Sequence, residues 1–346
     1  MIIKYICSDM KQISIIGLSR AGKTCYTFAM AKTMKRGING ITIFAPDSEQ
    51  RDKLELGWRG IRKDHTWPPT SDTDVPYDFQ CMLNLRPVMD FCWKDFKGGI
   101  LSSFDEINTK YRVEFSQYLH NSAGMIFFIA ADMMNRILMD TPEAEDNLDD
   151  LELLNNIILE NSNIMNRIPI TIAITKSDLL DNNAKSAVLE MVKEIFPSFF
   201  TVGNNVKVLT VPVSLGQQLG NCEQGQQVAG EIYSDPKAGN IHLPIMFNLY
   251  HYLKEYIAEI RQEIDSMEND LRKHGKVINT ASEHSAFGRW WRGEDLDELR
   301  NERQRMLNKI NETKNELDQQ EMNLELVRRE FTKDCQYYVN GKLQTL

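Results

Sequence analysis

Apolar residues fall into two rhythms along this chain. Up to about residue 250, short runs at 11–16, 40–45, 125–131, 169–175 and 206–213 are rich in β-branched or aromatic residues and bounded by Gly, Pro, Asn or Asp. Runs that are apolar throughout, rather than alternating, predict buried parallel strands, with amphipathic helices between them. Runs 77–85 and 87–95 are separated only by an Arg86-Pro87 turn, which predicts an antiparallel hairpin on the same sheet. The expected class is α/β: a mostly parallel sheet with one antiparallel strand and helices on both faces.

Beyond residue 250, Glu, Lys, Arg, Asn, Gln and Leu dominate and proline disappears. Tyr250, Leu253, Ile257, Ile260, Ile264, Met267 and Leu271 follow spacings of three and four, a heptad seam. The seam resumes at Leu296, Leu299, Met306, Ile310, Leu317, Leu324, Val327 and Phe331, with Arg303, Thr313 and Gln320 at intervening positions. Two helices at about 243–274 and 294–338, joined by a tip at 275–293, make an antiparallel coiled-coil hairpin. The expected division is therefore 1–242 and 243–346. A parallel intermolecular coiled coil is the alternative, and the break between the seams favours the hairpin.

Gly17-Leu18-Ser19-Arg20-Ala21-Gly22-Lys23-Thr24 matches G-x-x-x-x-G-K-[ST] in full, after the run ending at Ile16 and before a helical stretch beginning at Cys25. The glycines let backbone N–H groups of Gly17 through Cys25 wrap phosphates at the positive end of a helix. Lys23 is placed to reach the β- and γ-phosphates, and the Thr24 hydroxyl to coordinate Mg²⁺. Thr175-Lys176-Ser177-Asp178 stands at the carboxyl end of another predicted strand, where α/β sheets hold ligands. An aspartate there accepts two hydrogen bonds from the N1–H and exocyclic amine of guanine, which adenine cannot supply. The same residue also fits a plain helix N-cap. Val213-Ser214-Leu215-Gly216 closes a third strand.

Together these motifs resemble the P-loop GTPase superfamily of Ras-like fold, with its N/T-K-x-D motif and S-A-x guanine loop. That resemblance implies that Lys176 packs along the base, Asp178 reads it, and Ser214 and Leu215 close over it. It implies further that Asp95-Phe96-Lys97-Gly98 is the D-x-x-G motif, with Asp95 on Mg²⁺ through water and the Gly98 N–H on the γ-phosphate. The first switch is expected at 64–74, where Thr66, Thr70 and Thr73 compete for Mg²⁺; the rigid Trp67-Pro68-Pro69 run before it selects Thr70.

After D-x-x-G, Gly99 stands where Ras-like proteins carry a water-orienting glutamine, so another group must stabilise the transferring phosphoryl. Arg20 is the candidate. The P-loop is similar to those of guanylate-binding proteins and atlastins, whose arginine at this position acts as an internal finger when two GTPase domains meet. It is closer still to those of YcjX-like GTPases and the GTPase domains of bacterial conflict systems, which also show a W-P-P-x segment and a hairpin ending in D-x-x-G-G. A solvent-exposed arginine is the plain alternative.

A net charge of −9 argues against wholesale nucleic-acid binding, and six scattered cysteines without a C-x-x-C pair suggest buried thiols in a reducing cytoplasm. The six histidines show no metal-ligand spacing. The Gly-, Gln- and Asn-rich stretch 216–239 reads as a mobile insertion. At the tip, Phe287, Trp290 and Trp291 lie among arginines. They fit local packing, a protein partner or a membrane headgroup surface. The resulting expectation is a GTPase using GTP/GDP and Mg²⁺ as a switch, with a nucleotide-dependent homodimer or an effector engaged by the hairpin. The alternatives are a nucleotide-binding scaffold with negligible turnover and a dynamin-like membrane-acting GTPase, with a place in a bacterial defence system implied by the resemblance.

Overall fold

Continuous apolar runs build the middle of a nine-stranded sheet. The computed structural model describes residues 10–68, 76–95, 113, 115–220, 226–283, 296–331 and 335–346. Five parallel strands form the centre: β1 (Lys11–Gly17), β4 (Arg86–Asp95), β5 (Ser122–Ala130), β6 (Pro169–Thr175) and β7 (Lys207–Pro212). Every residue of β6 is buried, as expected for a strand covered on both faces. The hairpin partner β3 (Tyr77–Leu83) runs antiparallel to β4, and its burial alternates because one face is covered more than the other. At that edge β2 (Ile41–Phe44), expected among the parallel strands, runs in their direction but pairs antiparallel with β3. With two C-terminal strands, β10 (Gln336–Val339) and β11 (Lys342–Gln344), the full order is β11-β10-β7-β6-β5-β1-β4-β3-β2.

Adjacent side chains on β5 show how the layers are filled. Phe127 meets Phe196 with ring centroids 5.0 Å apart, while Phe128 turns to Tyr26 at 4.9 Å. Successive strand side chains point to opposite faces, so one strand anchors two cores. Phe127 belongs to a cluster with α3 (Ala131–Leu138), α4 (Ala144–Glu160) and α5 (Asn182–Ile195). Phe128 faces α1 (Lys23–Arg36), which packs on α2 (Ser48–Lys63). Asp47 caps α2 by accepting from the Gln50 N–H at 2.8 Å, and Asp181 caps α5 through Ala184 N–H at 2.7 Å.

The C-terminal residues differ from the expectation. The second long helix ends at Arg328 rather than continuing to 338, and Gln336–Val339 and Lys342–Gln344 form β10 and β11. β10 pairs antiparallel with β7, so the sheet carries a second antiparallel strand. The cause is local: Asn340 and Gly341 both adopt positive φ, 54° and 69°, the requirement of a two-residue hairpin turn.

The chain separates into two units, Met1–Asn248 with Glu330–Leu346, and Leu249–Arg329. The second unit is a helical hairpin cut from α6 (Leu243–Glu283) and α7 (Leu296–Arg328). The first of these helices passes through 274 and Gly275 without a break. Arg261 pairs with Glu321 at 2.6 Å, Glu268 with Lys314 at 2.7 Å and His274 with Glu302 at 2.9 Å, so partner positions fall as the first helix advances. That order is antiparallel. Ile257, Ile260, Ile264 and Ile310 are buried in the seam, as are Gln320 and Asn323, joined by a 3.0 Å hydrogen bond. The aromatic tip residues Phe287, Trp290 and Trp291 lie outside the described residues. No helix among the described residues is long and apolar enough to cross a membrane.

Candidate nucleotide-binding site

The phosphate loop takes its shape from three backbone constraints. Gly17 lies so close to β5 that a Cβ there would sit 2.6 Å from the Phe128 carbonyl oxygen. Arg20 and Gly22 then adopt positive φ, 63° and 83°, and α1 starts at Lys23. The Lys23 ammonium is buried inside the resulting curl, donating to the carbonyls of Gly17 at 2.9 Å and Leu18 at 3.1 Å. The first turn of α1 contains no carboxylate of its own to offset the helix's positive end. Ala21 is buried, Thr24 and Cys25 are half-buried, and Ser19 and Arg20 are exposed.

The end of β6 is tied to this loop. Thr175 Oγ1 donates to the Ala21 carbonyl at 2.8 Å, within reach also of the Ile129 carbonyl at 3.3 Å. Lys176 follows in the left-handed region, φ 54°, and its ammonium meets Asp132 Oδ2 at 2.8 Å. Asp178 is held from both sides: Ser214 Oγ donates to Oδ1 and the Leu219 N–H to Oδ2, each at 3.0 Å. A carboxylate has about four acceptor positions, so both oxygens keep capacity for the paired donors of a base. Val213 N–H donates to Ile174 O at 2.8 Å, which places the 213–216 loop beside the end of β6.

These pieces line one open cleft of about 450 Å³, part of it open to solvent. Gly22 and Cys25 come from the P-loop side, Thr175, Lys176 and Asp178 from the strand end, and Ser214 and Leu215 from the 213–216 loop. Three separate stretches, the first about 150 residues before the other two, thus share a single hollow. Six further lining residues were not assigned from sequence as cleft residues: Tyr26, Trp67, Val213, Leu219, Gly220 and Ile241. Tyr26 is fully covered, and burial pushes its phenol well above the usual tyrosine range. Asp132 was also missed. A single aspartate opening the helix after a strand carries no signal that distinguishes it from a helix-favouring first-turn acid.

The phosphate-sensing expectations fall largely elsewhere. Thr70 and Gly98 lie outside the described residues. Asp95 ends β4, in register with Ile15 of β1, and its side chain is not described. The stretch 216–239, expected to be mobile, contains paired backbone: β8 (Gly216–Gln217) and β9 (Glu231–Ile232) form a two-stranded ladder.

No protein-family model and no curated protein matches the chain. Solved structures do. One is the small COPII coat GTPase SAR1 from Encephalitozoon cuniculi in complex with GDP, 13% identical at TM-score 0.34, covering 72% of this chain and 85% of that one. A second is an oligomerised bacterial dynamin pair described as sensing and tethering membranes, 14% identical at TM-score 0.37, covering 91% of this chain and 48% of that one. A third is the translation elongation factor SelB from Methanococcus maripaludis with the GTP analogue GPPNHP, 15% identical at TM-score 0.29, covering 60% and 30%. The chain therefore spans under half the length of the dynamin chain and about a third of SelB. Sheet order, P-loop curl and the C-terminal helix pair define the class by themselves: a P-loop GTPase fold with a helical hairpin.

Proposed function

We propose that the chain binds GTP and GDP in this cleft and hydrolyses GTP with Mg²⁺, working as a nucleotide-dependent switch. The observation that carries the reading is the position of Asp178 in the same hollow as Gly22 and Cys25, a carboxylate and a phosphate curl lining one cleft. The P-loop N–H groups and Lys23 supply fixed positive charge for a polyphosphate. Asp178, fixed by Ser214 and Leu219, is preorganised to accept from a guanine edge without a reorganisation cost at binding. Thr24, in the first turn of α1, would hold Mg²⁺ with Thr70, Asp95 through water, and phosphate oxygens. Magnesium commonly takes only one or two protein ligands beside phosphates, so the lack of an acidic cluster among the described residues fits. Bound Mg²⁺ neutralises charge on the β- and γ-phosphates.

Arg20 is exposed on the loop rim, with nothing in the first turn of α1 to neutralise it. We assign it as the finger that stabilises the transferring phosphoryl when two copies meet, in place of the glutamine absent at Gly99. Nucleotide state would then change homodimerisation and engagement of a partner by the hairpin.

Two measurements test the reading. Asp178→Asn replaces a double acceptor by a group that also donates. GTP affinity should fall about a hundredfold or more while xanthosine triphosphate, with a carbonyl where guanine has its amine, gains; unchanged GTP affinity would remove Asp178 as the base reader. GTP hydrolysis per molecule should rise with protein concentration and collapse by about 10³ in Arg20→Ala, the scale of a finger arginine. Flat, negligible turnover in both would leave a GTP-binding scaffold, with the hairpin as its working part.

A further inference from the structure

The stretch after the guanine loop connects two parts of the cleft that are distant in sequence. Its two described arms, 216–220 and 226–232, face each other: β8 pairs with β9, and the Ala229 N–H donates to Leu219 O at 3.3 Å. Glycine permits this closeness. A Cβ on Gly216 would lie 2.0 Å from Glu231 O, and one on Gly230 2.0 Å from Gln217 O. At one end Leu219 N–H holds Asp178. At the other, the Val228 N–H donates to His65 O at 2.9 Å and the Trp67 N–H to Gln226 O at 3.2 Å, flanking an antiparallel bridge between Thr66 and Gln227. Backbone bonds thus run from the base-reading carboxylate to the residues that lead into the first switch.

Trp67 is what this pairing secures. It is 3% exposed and lines the cleft, and its indole Nε1–H is buried without a hydrogen-bond partner among the described residues. Buried tryptophan N–H groups ordinarily find an acceptor. The cleft that Trp67 lines is the neighbouring space a ligand would fill.

We propose that this stretch is a strap that holds Trp67 on the cleft as a nucleotide-retaining residue, its indole N–H donating to the bound nucleotide, and that opening of the strap sets the rate of nucleotide release. The proposal rests on reading the cleft as a guanine-nucleotide site. Its consequence is mechanical: displacement of His65–Trp67 pulls, through Val228, Ala229 and Leu219, on the carboxylate that reads the base.

The test is release of a fluorescent N-methylanthraniloyl GDP from the full chain, chased with excess GDP. Thr66 and Gln227 form a non-hydrogen-bonded antiparallel pair, about 4.5 Å between Cα atoms, which lies within disulfide range. A Thr66→Cys/Gln227→Cys double variant should release the probe at least about tenfold more slowly when oxidised than when reduced; oxidised single variants control for the native cysteines. Val228→Pro deletes the donor to His65 and should speed release about five- to tenfold, the scale of one net backbone hydrogen bond. Trp67→Phe, which keeps a ring and loses the N–H, should act in the same direction. Equal release from oxidised and reduced protein overturns the strap, as does failure of the pair to cross-link. If Val228→Pro fails to fold, the disulfide comparison still decides. Native protein that binds no probe at all overturns the nucleotide reading itself, a result in which no variant takes part.

Discussion

Lys176 occupies an unusual position for a long cation. Its backbone is left-handed, φ 54°, and its ammonium sits 2.8 Å from Asp132 Oδ2, with only 11% of one side chain and 15% of the other exposed. The other Asp132 oxygen is buried without a partner, and Arg136 stands at 3.7 Å from Oδ2. The expected role for Lys176 was packing along the base, which uses the aliphatic stem; the ion pair fixes the other end, so the two are compatible. If the cleft holds a guanine base as proposed, Asp132 positions Lys176 against it. Asp132→Ala strands a mostly buried ammonium, and should cost about 2 kcal/mol of stability, less than a fully buried pair because some water reaches it. GDP affinity should fall roughly tenfold, measured by titration at a temperature well below unfolding, with Asp132→Asn giving an intermediate value. A variant that melts earlier but binds GDP normally would make the pair purely structural.

At the level of elements, the terminal hairpin shows what sets the sheet's edge. Gly341 has φ 69°, and a Cβ there would meet Phe200 O at 2.4 Å, so any side chain meets both strain and a clash. Gly341→Ala should destabilise the fold by about 2 kcal/mol and lower the melting temperature, whereas Lys342→Ala, on an exposed strand, should be neutral. Equal melting of native and Gly341→Ala proteins would show that the turn is not formed. The Asn340-Gly341 pair between Tyr337-Tyr338-Val339 and Leu343 was readable as a hairpin; the heptad at Val327 and Phe331 led the helix past it. Motifs of fixed local spacing, the P-loop and Thr175-Lys176-Ser177-Asp178, were legible because both chemistry and turn geometry are written in neighbouring residues. The strap was not. Its contacts are backbone to backbone between 65–67 and 226–228, and its glycines serve close approach, so composition alone resembled a loose loop. Trp67 was read as loop stiffening because nothing local reveals that it lines the cleft.

Seen as a whole chain, the sheet unit is discontinuous: residues up to Asn248 are completed by a segment that begins at Glu330. Folding that unit requires contacts across more than eighty residues, and Glu330 is buried where they close. Its carboxylate accepts from Asn39 in the turn before β2, pairs with Lys237 at 2.8 Å, and lies 3.5 Å from His242 Nε2. His242 is 2% exposed, and neither ring nitrogen has a hydrogen-bond partner among the described residues. Burial first, then the charge of Lys237, hold its pKa down to about 4, against an opposing pull from Asp235. The sign follows from linkage: a histidine unfolded near 6.5 and folded near 4 takes its proton first in the unfolded state, so stability present at neutral pH is lost as pH falls from about 6.5 to about 4. The full span is worth roughly 3 kcal/mol. Between pH 6.5 and 5, before most carboxylates titrate, urea unfolding of the native chain should show a falling midpoint, and His242→Asn should flatten that slope whatever its stability at pH 7. An identical slope in the variant would mean that the closure is held by the Glu330 contacts alone, with His242 indifferent to its charge.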